Sequence, residues 1–290
     1  MECCLAVDIG GTKLAAGLVD EDGALHAQRR IPTPEGGDPE ALFAALAGLV
    51  DQVADRARPQ ACGVGCGGPM TPGGEAVSPL NIPAWRDFPL RARLAGHTGL
   101  PTAVDNDAKA LALGEGWRGA AAGARHFMAM VVSTGVGGGI VLDGRLLQGA
   151  TGNAGHVGHV VVEPDGRPCA CGSRGCLEAE ASGTAIAAMT GAAPEAAGRD
   201  IVVRTGTLVG RAVASVVVLL DLELVVVSGS VALGYGAPFF EAANAELRAR
   251  ARLSYSEGAD IVPGGLGPAG PLVGAGALGW AAVGRTVAAR

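Results

Sequence analysis

The sequence predicts an α/β protein with two lobes, and three observations carry this prediction. Of the 290 residues, 49% are apolar, which is ample for a packed core. Strand-like apolar runs alternate with segments of helical spacing. A strand, a glycine-rich turn with Thr, and a hairpin occur together twice, at residues 7–19 and 131–147. Two such units half a chain apart predict two lobes with a ligand between them. The alternative is coincidence in a chain with 48 glycines.

The individual elements follow from local patterns. Strands are predicted where short apolar runs end in turn residues: 3–9, 14–19, 61–66, 127–132, 140–142, 146–147 and 224–227. Helices are predicted from apolar spacing, the first of them from its Asp-Pro start: 38–53, 107–117, 208–220, 238–250 and 275–289. Asp22-Gly23 and Asp143-Gly144 are hairpin signals. Residues 149–176 are rich in Gly, His, Cys and Pro and predict an ordered loop region.

Charge and composition exclude several classes of protein. The formal charge is -6 and no block of Lys and Arg is present, so nucleic acid is not expected as a partner. Residues 1–12 lack the basic start and long apolar stretch of a signal peptide. The apolar run at 212–220 is far short of the roughly 20 residues that span a bilayer. We therefore expect a soluble, cytoplasmic protein with no membrane partner. Seven cysteines, an odd number, argue against a disulfide framework.

Two glycine-rich turns predict phosphate binding. Asp8-Ile9-Gly10-Gly11-Thr12-Lys13 combines backbone N–H groups with a hydroxyl, an ammonium and a carboxylate that can hold Mg²⁺ or its waters. Ser133-Thr134-Gly135 repeats the donor pattern. Two ordinary β-turns are the plainer interpretation. No P-loop pattern is present. Two G-x-G-x-x-G matches, at 63–68 and 274–279, lack the strand-turn-helix context of a dinucleotide site.

A metal site is predicted by one imidazole and three thiols. His159, Cys169, Cys171 and Cys176 make a complete tetrahedral Zn²⁺ set without an open position, which indicates a structural metal. Three buried thiols in a loop are the alternative. The four other cysteines lie in strand-like runs and are expected to fill core.

Acidic residues stand at the head of the helix predicted from residue 107. Asp105-Asn106-Asp107 is most simply an N-cap cluster. The functional alternative is that Asp107 takes the proton of a hydroxyl group.

Together these motifs, with Cys169-Ala170-Cys171-Gly172-Ser173-Arg174-Gly175-Cys176-Leu177-Glu178, resemble the ROK family of sugar kinases and repressors. The resemblance covers nearly the whole chain. It implies a two-lobed, actin-like (ribonuclease H-like) ATPase fold with a cleft between the lobes, and homodimers or homotetramers. The expected lobes are residues 1–118, completed by the helix at 275–290, and residues 119–274 with the zinc loop.

ROK repressors place a DNA-binding motif before the kinase-like part. Because the first phosphate turn starts at Asp8, an enzyme is expected here.

The resemblance also implies roles for individual residues. Asp107 would be the general base that deprotonates the 6-hydroxyl of a sugar as it attacks the γ-phosphate of Mg·ATP. The residues expected to hold the sugar are Gly67, Gly68, Asn81, Asn106, Asp107, His156, His159 and Glu178. The residues expected at ATP are Asp8, Gly10, Gly11, Thr12, Lys13, Thr134, Gly135, Gly229 and Ser230. Zinc would be structural and would fix the loop that presents His159 and Glu178.

One position departs from the family pattern. The usual Gly-Glu-x-Gly-His is Gly155-His156-Val157-Gly158-His159 here, so an imidazole replaces a carboxylate that accepts hydrogen bonds from the sugar. Bacterial N-acetylmannosamine kinases of the family are similar at this point, whereas residues 85–90 are more similar to glucokinases. The sequence favours a 6-kinase for a hexose or N-acylhexosamine, N-acetylmannosamine first. A glucokinase, a kinase for an unusual amino sugar or cyclitol, polyphosphate as donor, and a non-catalytic sugar sensor stay open.

Overall fold

The computed structural model describes residues 2–55 and 57–285, and the chain divides into two compact units. Unit 1 comprises Met1–Gly123, Leu146–Ala154 and Pro268–Arg290, and unit 2 comprises Ala124–Arg145 and Gly155–Gly267. The predicted lobe boundary after residue 118 stays a prediction. Residue 1 and residues 286–290 of the first predicted lobe, including the end of its final helix, lie outside the described residues.

Strands and helices alternate along the described chain. The strands are β1 (Cys3–Ile9), β2 (Lys13–Asp20), β3 (Leu25–Pro32), β4 (Cys62–Cys66), β5 (Thr102–Asn106), β6 (Phe127–Val132), β7 (Val136–Leu142), β8 (Arg145–Leu146), β9 (Leu224–Ser228) and β10 (Asp260–Pro263). The α-helices are α1 (Pro39–Ala54), α2 (Leu90–Thr98), α3 (Asp107–Arg118), α4 (Leu177–Ala181), α5 (Gly183–Thr190), α6 (Arg199–Leu220), α7 (Ser230–Tyr235), α8 (Ala237–Arg250) and α9 (Gly270–Ala282).

Unit 1 is built on a mixed sheet in the order β3-β2-β1-β4-β5. β1 pairs antiparallel with β2 and parallel with β4, and β4 pairs parallel with β5. All seven residues of β1 are buried, as expected for a central strand. The parallel strands end at Ile9, Cys66 and Asn106, which are paired residues in neighbouring strands. This register brings the turn after β1, the loop after β4 and the head of α3 to one edge of the sheet.

Helices cover both faces of this sheet. α1 starts at an Asp38 cap, whose side chain accepts from the N–H of Glu40, and it buries an apolar stripe in the core. α9 packs against β1, β4 and α3 through glycines that permit close approach. A Cβ added at Gly63 would lie 1.8 Å from the carbonyl oxygen of Ala275, and one at Gly279 would lie 2.0 Å from Cys4 Sγ. The two G-x-G-x-x-G matches therefore include packing glycines, in agreement with their rejection as dinucleotide sites.

Unit 2 repeats the strand arrangement with a second sheet in the order β10-β9-β6-β7-β8. β6 pairs antiparallel with β7 and parallel with β9, so the repeated strand-turn-strand unit in the sequence is real. α6 and α8 pack tightly, since a Cβ at Gly206 or Gly210 would lie 2.4 or 2.2 Å from a carbonyl oxygen of α8.

One helix of the described chain, α6, is long and apolar enough to cross a membrane by length and composition alone. Within its most apolar window, 61% is buried inside the protein. A core helix of a soluble protein gives the same signal, so this helix does not indicate a membrane protein.

Several predicted boundaries were wrong, for physical reasons. β3 was not predicted because half of its eight side chains are polar and all eight are at least partly exposed. α6 begins at Arg199 rather than residue 208, because its first two turns mix charged residues with Gly206. α9 begins at Gly270 rather than at residue 275, because the low helix propensity of its glycines gives no start signal, and it ends at Ala282. Residues 286–289 of the predicted helix lie outside the described residues.

Candidate active site

In unit 1, the first glycine-rich turn connects β1 to β2. The N–H of Gly10 donates to the carbonyl of Lys13 at 3.0 Å, and Thr33 Oγ1 donates to the carbonyl of Gly10 at 2.7 Å. Thr12 and Lys13 are exposed. The turn is thus fixed by its own backbone while its hydroxyl and ammonium face solvent.

Asn81 lies against this turn and against the loop after β4. A Cβ added at Gly11 would lie 2.8 Å from the carbonyl oxygen of Asn81, and one at Gly67 would lie 3.2 Å from its Oδ1. Gly68 follows directly, and its carbonyl accepts from the N–H of Leu80 at 3.2 Å. Three segments distant in sequence therefore bring predicted sugar-side and ATP-side residues together within unit 1.

Two carboxylates interact at the carboxyl edge of the same sheet. Burial first, and the nearby charge of Asp107 second, raise the pKa of Asp8 to about 7 against the opposing charges of Lys13 and Arg30. Cys66 is buried beside both carboxylates; burial first, then their charges, raises the pKa of its thiol. The Asp8 carboxyl therefore changes protonation near neutral pH.

Asn106 and Asp107 form the head of α3. Asn106 Oδ1 accepts from the N–H groups of Ala108 and Lys109 at 3.0 and 3.4 Å, and Asp107 Oδ1 accepts from Ala108 at 2.9 Å. A Cβ added at Gly65 would lie 3.4 Å from Asp107 Cα. The N-cap interpretation is thus correct for Asn106, and the cap fixes the backbone that carries Asp107.

A buried lysine beside this turn was missed by the sequence analysis. Lys109 is 1% exposed and its ammonium lies 2.8 Å from Asp105 Oδ1. The same Nζ donates to Gln148 Oε1 and to the carbonyl of Gly152. The acid-base spacing i,i+4 of Asp105 and Lys109 is the signal that could have identified the pair.

In unit 2, the second glycine-rich turn connects β6 to β7. The Ser133 carbonyl accepts from the N–H of Gly183 at 2.7 Å, and the Thr134 carbonyl accepts from Thr184 Oγ1 at 2.9 Å. The Ser133 and Ser230 hydroxyls lie 3.0 Å apart. The N-terminus of α5 therefore supports this turn, and Ser230 adjoins it.

Position 229, between β9 and α7, can hold only glycine. Its φ is +102° and an added Cβ would lie 2.3 Å from the carbonyl oxygen of Val132. The predicted Gly229-Ser230 turn is thus packed directly on the end of β6.

Glu178, at the start of α4, contacts the same hairpin. Its Oε2 accepts from the N–H of Val136 at 2.9 Å and would lie 2.7 Å from a Cβ at Gly135. A predicted sugar ligand and a predicted phosphate-binding glycine are therefore adjacent in unit 2.

His156 directly precedes a single 3₁₀ turn, Val157–His159, and His159 is the last residue of that turn. Their ring centroids lie 6.0 Å apart with planes 22° from parallel. Gly155 and Gly158 pack this turn onto β7, since added Cβ atoms would lie 2.4 and 2.2 Å from β7 carbonyl oxygens. The spacing Gly-His-x-Gly-His thus reflects the close approach of the turn to the strand.

The four predicted metal ligands converge. The ligand atoms of His159, Cys169, Cys171 and Cys176 all lie within 4.8 Å of one another. Cys169 Sγ lies 3.7 Å from His159 Nδ1, and Cys171 Sγ lies 3.8 Å from Cys176 Sγ. Tetrahedral zinc with Zn–S bonds of about 2.3 Å separates two sulfurs by about 3.8 Å. The donor set and its spacing therefore fit zinc.

The electrostatics of the thiols differ. Burial raises the pKa values of Cys169 and Cys176, whereas a hydrogen bond from the N–H of Ser173 lowers that of the exposed Cys171. Cys171 thus has the greatest tendency to be a thiolate in the metal-free loop.

Comparison with known proteins agrees with this architecture. Residues 4–281 match the ROK family. An N-acetylmannosamine kinase from Citrobacter koseri is 42% identical over 248 residues, which cover 80% of this chain and 84% of the relative. A ROK family glucokinase from Streptomyces griseus, solved with glucose and AMPPNP, has a TM-score of 0.84 at 30% identity and covers 96% of this chain and 99% of its own. A ROK hexokinase from Thermus thermophilus has a TM-score of 0.81 at 34% identity, with 97% and 99% covered.

The fold is thus that of the actin-like (ribonuclease H-like) ATPases, as predicted. The chain belongs to the ROK family and is a carbohydrate kinase. The family implies ATP with Mg²⁺ as phosphoryl donor and a sugar as acceptor. These findings favour an enzyme over the non-catalytic sensor that the sequence left open.

Proposed function

We propose that this kinase transfers the γ-phosphate of ATP to the 6-hydroxyl of an N-acylhexosamine or hexose, with N-acetylmannosamine as the preferred acceptor. The observation that carries the preference is His156, which replaces the carboxylate of the usual family pattern and lies beside His159. A neutral imidazole offers one donor and one acceptor where a carboxylate only accepts, so hydroxyl recognition changes. The Citrobacter koseri relative named N-acetylmannosamine kinase supports this preference.

Asp107 acts as the general base in this proposal. Its carboxylate takes the proton of the sugar 6-hydroxyl while that oxygen forms a bond to the γ-phosphorus, and the bond from phosphorus to the β-γ bridging oxygen breaks to release ADP. The cap formed by Asn106 keeps the backbone of Asp107 in place. The sugar is held by Gly67, Gly68, Asn81, Asn106, Asp107, His156, His159 and Glu178.

The two glycine-rich turns bind the nucleotide. In unit 1 the N–H of Gly11, with Thr12 and Lys13, presents donors to phosphate oxygens, while Gly10 closes the turn through its bond to the Lys13 carbonyl. In unit 2 Thr134, Gly135, Gly229 and Ser230 take the corresponding role. Asp8 would hold Mg²⁺, which neutralises charge on the phosphates when bound.

A glucokinase is the second candidate. The Streptomyces griseus neighbour favours it, since its structure contains glucose. Residues 85–90, which resemble glucokinases, are partly core: Trp85 stacks on Phe88 with ring centroids 4.5 Å apart. That resemblance therefore reflects packing at least as much as sugar recognition.

One coupled assay of ADP release decides among these acceptors. Purified protein is tested with N-acetylmannosamine, glucose, N-acetylglucosamine, glucosamine and mannose, each with ATP and with polyphosphate. The highest kcat/KM is expected for N-acetylmannosamine with ATP. A strong preference for glucose would overturn the proposed acceptor.

The variant Asp107→Asn tests the general base. It should lower kcat at least 100-fold while thermal shift still detects sugar binding. A wild-type kcat in this variant would show that Asp107 is not the base.

We also propose that zinc is held by His159, Cys169, Cys171 and Cys176. The set is closed, so zinc would stabilise the loop and would not activate water. Metal analysis should find about one zinc per chain, and Cys171→Ser should release it. Zinc well below one per chain in the wild-type protein would refute the site.

The assembly is proposed to be a cytoplasmic homodimer or homotetramer with no nucleic acid or membrane partner. Light scattering after size exclusion would measure the mass directly. A monomer at micromolar concentration would contradict this proposal.

A further inference from the structure

The ammonium of Lys109 is a fully paired buried charge at the carboxyl edge of the unit 1 sheet. It lies 2.8 Å from Asp105 Oδ1, 2.5 Å from Gln148 Oε1 and 2.9 Å from the carbonyl oxygen of Gly152. An ammonium has three donors, and these three oxygens account for all of them. Burial of a charge is costly unless it is paired and hydrogen-bonded, and Lys109 meets both conditions.

The partners of Lys109 come from two separate chain segments. Asp105 ends β5 and directly precedes Asn106 and Asp107; its Oδ1 also accepts from the N–H of Asn106 at 2.8 Å. Gln148 closes the ring, because its Nε2 donates to Asp105 Oδ2 at 3.3 Å. We call Asp105, Lys109, Gln148 and the Gly152 carbonyl the Lys109 clamp. It joins the turn that carries Asp107 to residues 148–152.

The second segment, residues 147–154, is held in place by side-chain hydrogen bonds. Residues 147–154 contain no strand or helix, and together with Leu146 they belong to unit 1, although Arg145 and Gly155 on either side belong to unit 2. Besides the clamp, Asn153 anchors them: Oδ1 accepts from the N–H of Met70 at 3.2 Å and Nδ2 donates to its carbonyl at 3.0 Å. Two residues after this segment the chain reaches His156, a proposed sugar ligand.

We propose that Lys109 is a positioning residue for the kinase reaction. The clamp fixes the backbone of Asp107 against residues 148–152, and so sets where the base stands when the sugar hydroxyl arrives. The inference rests on the proposed function. A buried ion pair is often no more stabilising than apolar side chains of similar volume, so stability alone does not account for it. Displacement of reacting groups by about 1 Å can cost about 100-fold in rate.

The test compares three variants of the full-length protein. Lys109→Met removes the ammonium but keeps the unbranched chain out to Cε, and it leaves Asp105 without its cation. Lys109→Met combined with Asp105→Asn removes both charges and should restore much of the lost stability. Arg93→Met is the matched control, because it deletes one exposed ion pair of unit 1, with Glu40 at 2.6 Å.

Steady-state kinetics with the preferred sugar give the first readout. Both Lys109 variants should lose about tenfold or more in kcat/KM per folded molecule, with kcat itself lowered, whereas Arg93→Met should stay within twofold. Recovery of wild-type kcat/KM in the double variant would overturn the proposal, because charge balance and not positioning would then explain the loss. Unchanged kinetics in Lys109→Met would overturn it as well.

Hydrogen exchange gives a readout that does not require activity. Amides in residues 148–154 should exchange faster in both Lys109 variants than in wild type or Arg93→Met. Unchanged exchange there would refute the clamp. If the wild-type protein phosphorylates no sugar, the proposed function fails while the exchange data still decide whether the clamp exists.

Discussion

Replacement of Asp8 by Asn should remove a large pH dependence from the stability of unit 1. The folded carboxyl keeps its proton to about pH 7, against a usual pKa of 3.8, because it is buried and lies near Asp107. Between about pH 4 and pH 7 the folded state therefore binds more protons than the unfolded chain. The free energy of unfolding must fall as pH rises through this window.

The magnitude follows from the difference in pKa. The pKa values of Asp8 in the folded and unfolded protein differ by about three, and each pKa unit corresponds to about 1.4 kcal/mol. The free energy of unfolding is therefore lower by ~4 kcal/mol at pH 8 than at pH 4. Asn is close in shape to the neutral acid and does not ionise. Asp8→Asn should therefore match wild type near pH 4 and exceed its stability by about 2–4 kcal/mol at pH 8.

Tryptophan fluorescence during urea unfolding is the appropriate assay. Trp85, Trp117 and Trp280 all lie in unit 1 and none is more than 6% exposed, so the signal reports this unit. Measurements from pH 4 to 8 omit nucleotide and Mg²⁺. Asp22→Asn, on the exposed turn after β2, is the control and should keep the wild-type pH dependence.

Two outcomes would refute the reasoning. Equal midpoints for wild type and Asp8→Asn at every pH would show that Asp8 ionises as an ordinary carboxyl. Asp107→Asn should reduce the pH dependence, because the Asp107 charge contributes to the raised pKa of Asp8; an unchanged dependence would show that the two carboxylates do not interact.

Three further substitutions test packing, ion pairing and specificity. Gly63→Ala should cost more than about 3 kcal/mol in urea unfolding, because its Cβ would meet an α9 carbonyl at 1.8 Å, whereas Gly48→Ala, with nothing within 4 Å, should be neutral or slightly stabilising. Glu180→Ala should cost about 3 kcal/mol by circular dichroism, because Glu180 is 2% exposed and pairs with two arginines; the exposed pair of Glu75 should be worth under about 1 kcal/mol. His156→Glu should raise the kcat/KM ratio of glucose to N-acetylmannosamine at least about tenfold, and an unchanged ratio would exclude His156 as a specificity residue.

Much of the fold could be predicted because the informative signals are local. β1 and β6 are short apolar runs that end in glycine-rich turns, and their bounds match the prediction at both ends. The Cys/His cluster proposed to hold zinc could also be predicted, since three of its four residues lie within eight residues and the fourth precedes them by ten. Local spacing carries this information without knowledge of the tertiary structure.

The remaining contacts of the site could not be predicted, because they depend on the tertiary structure. The link of Asn81 to Gly11 spans 70 residues, and no periodicity indicates that they meet. Lys109 looks like a surface residue of a short helix until Gln148 and Gly152 are placed around its ammonium. Sequence patterns also gave no measure of the interaction between Asp8 and Asp107, because that interaction depends on burial and on the register of β1 with β4 and β5.

The position of α9 has a consequence for biosynthesis. This helix covers one face of the unit 1 sheet, yet the ribosome makes it after every residue of unit 2. The surface of β1 and β4 that α9 covers, including Gly63, stays exposed while about 150 further residues are synthesised. Unit 1 therefore cannot finish folding in the order of synthesis, and truncated chains that end before residue 270 should bind chaperones and aggregate.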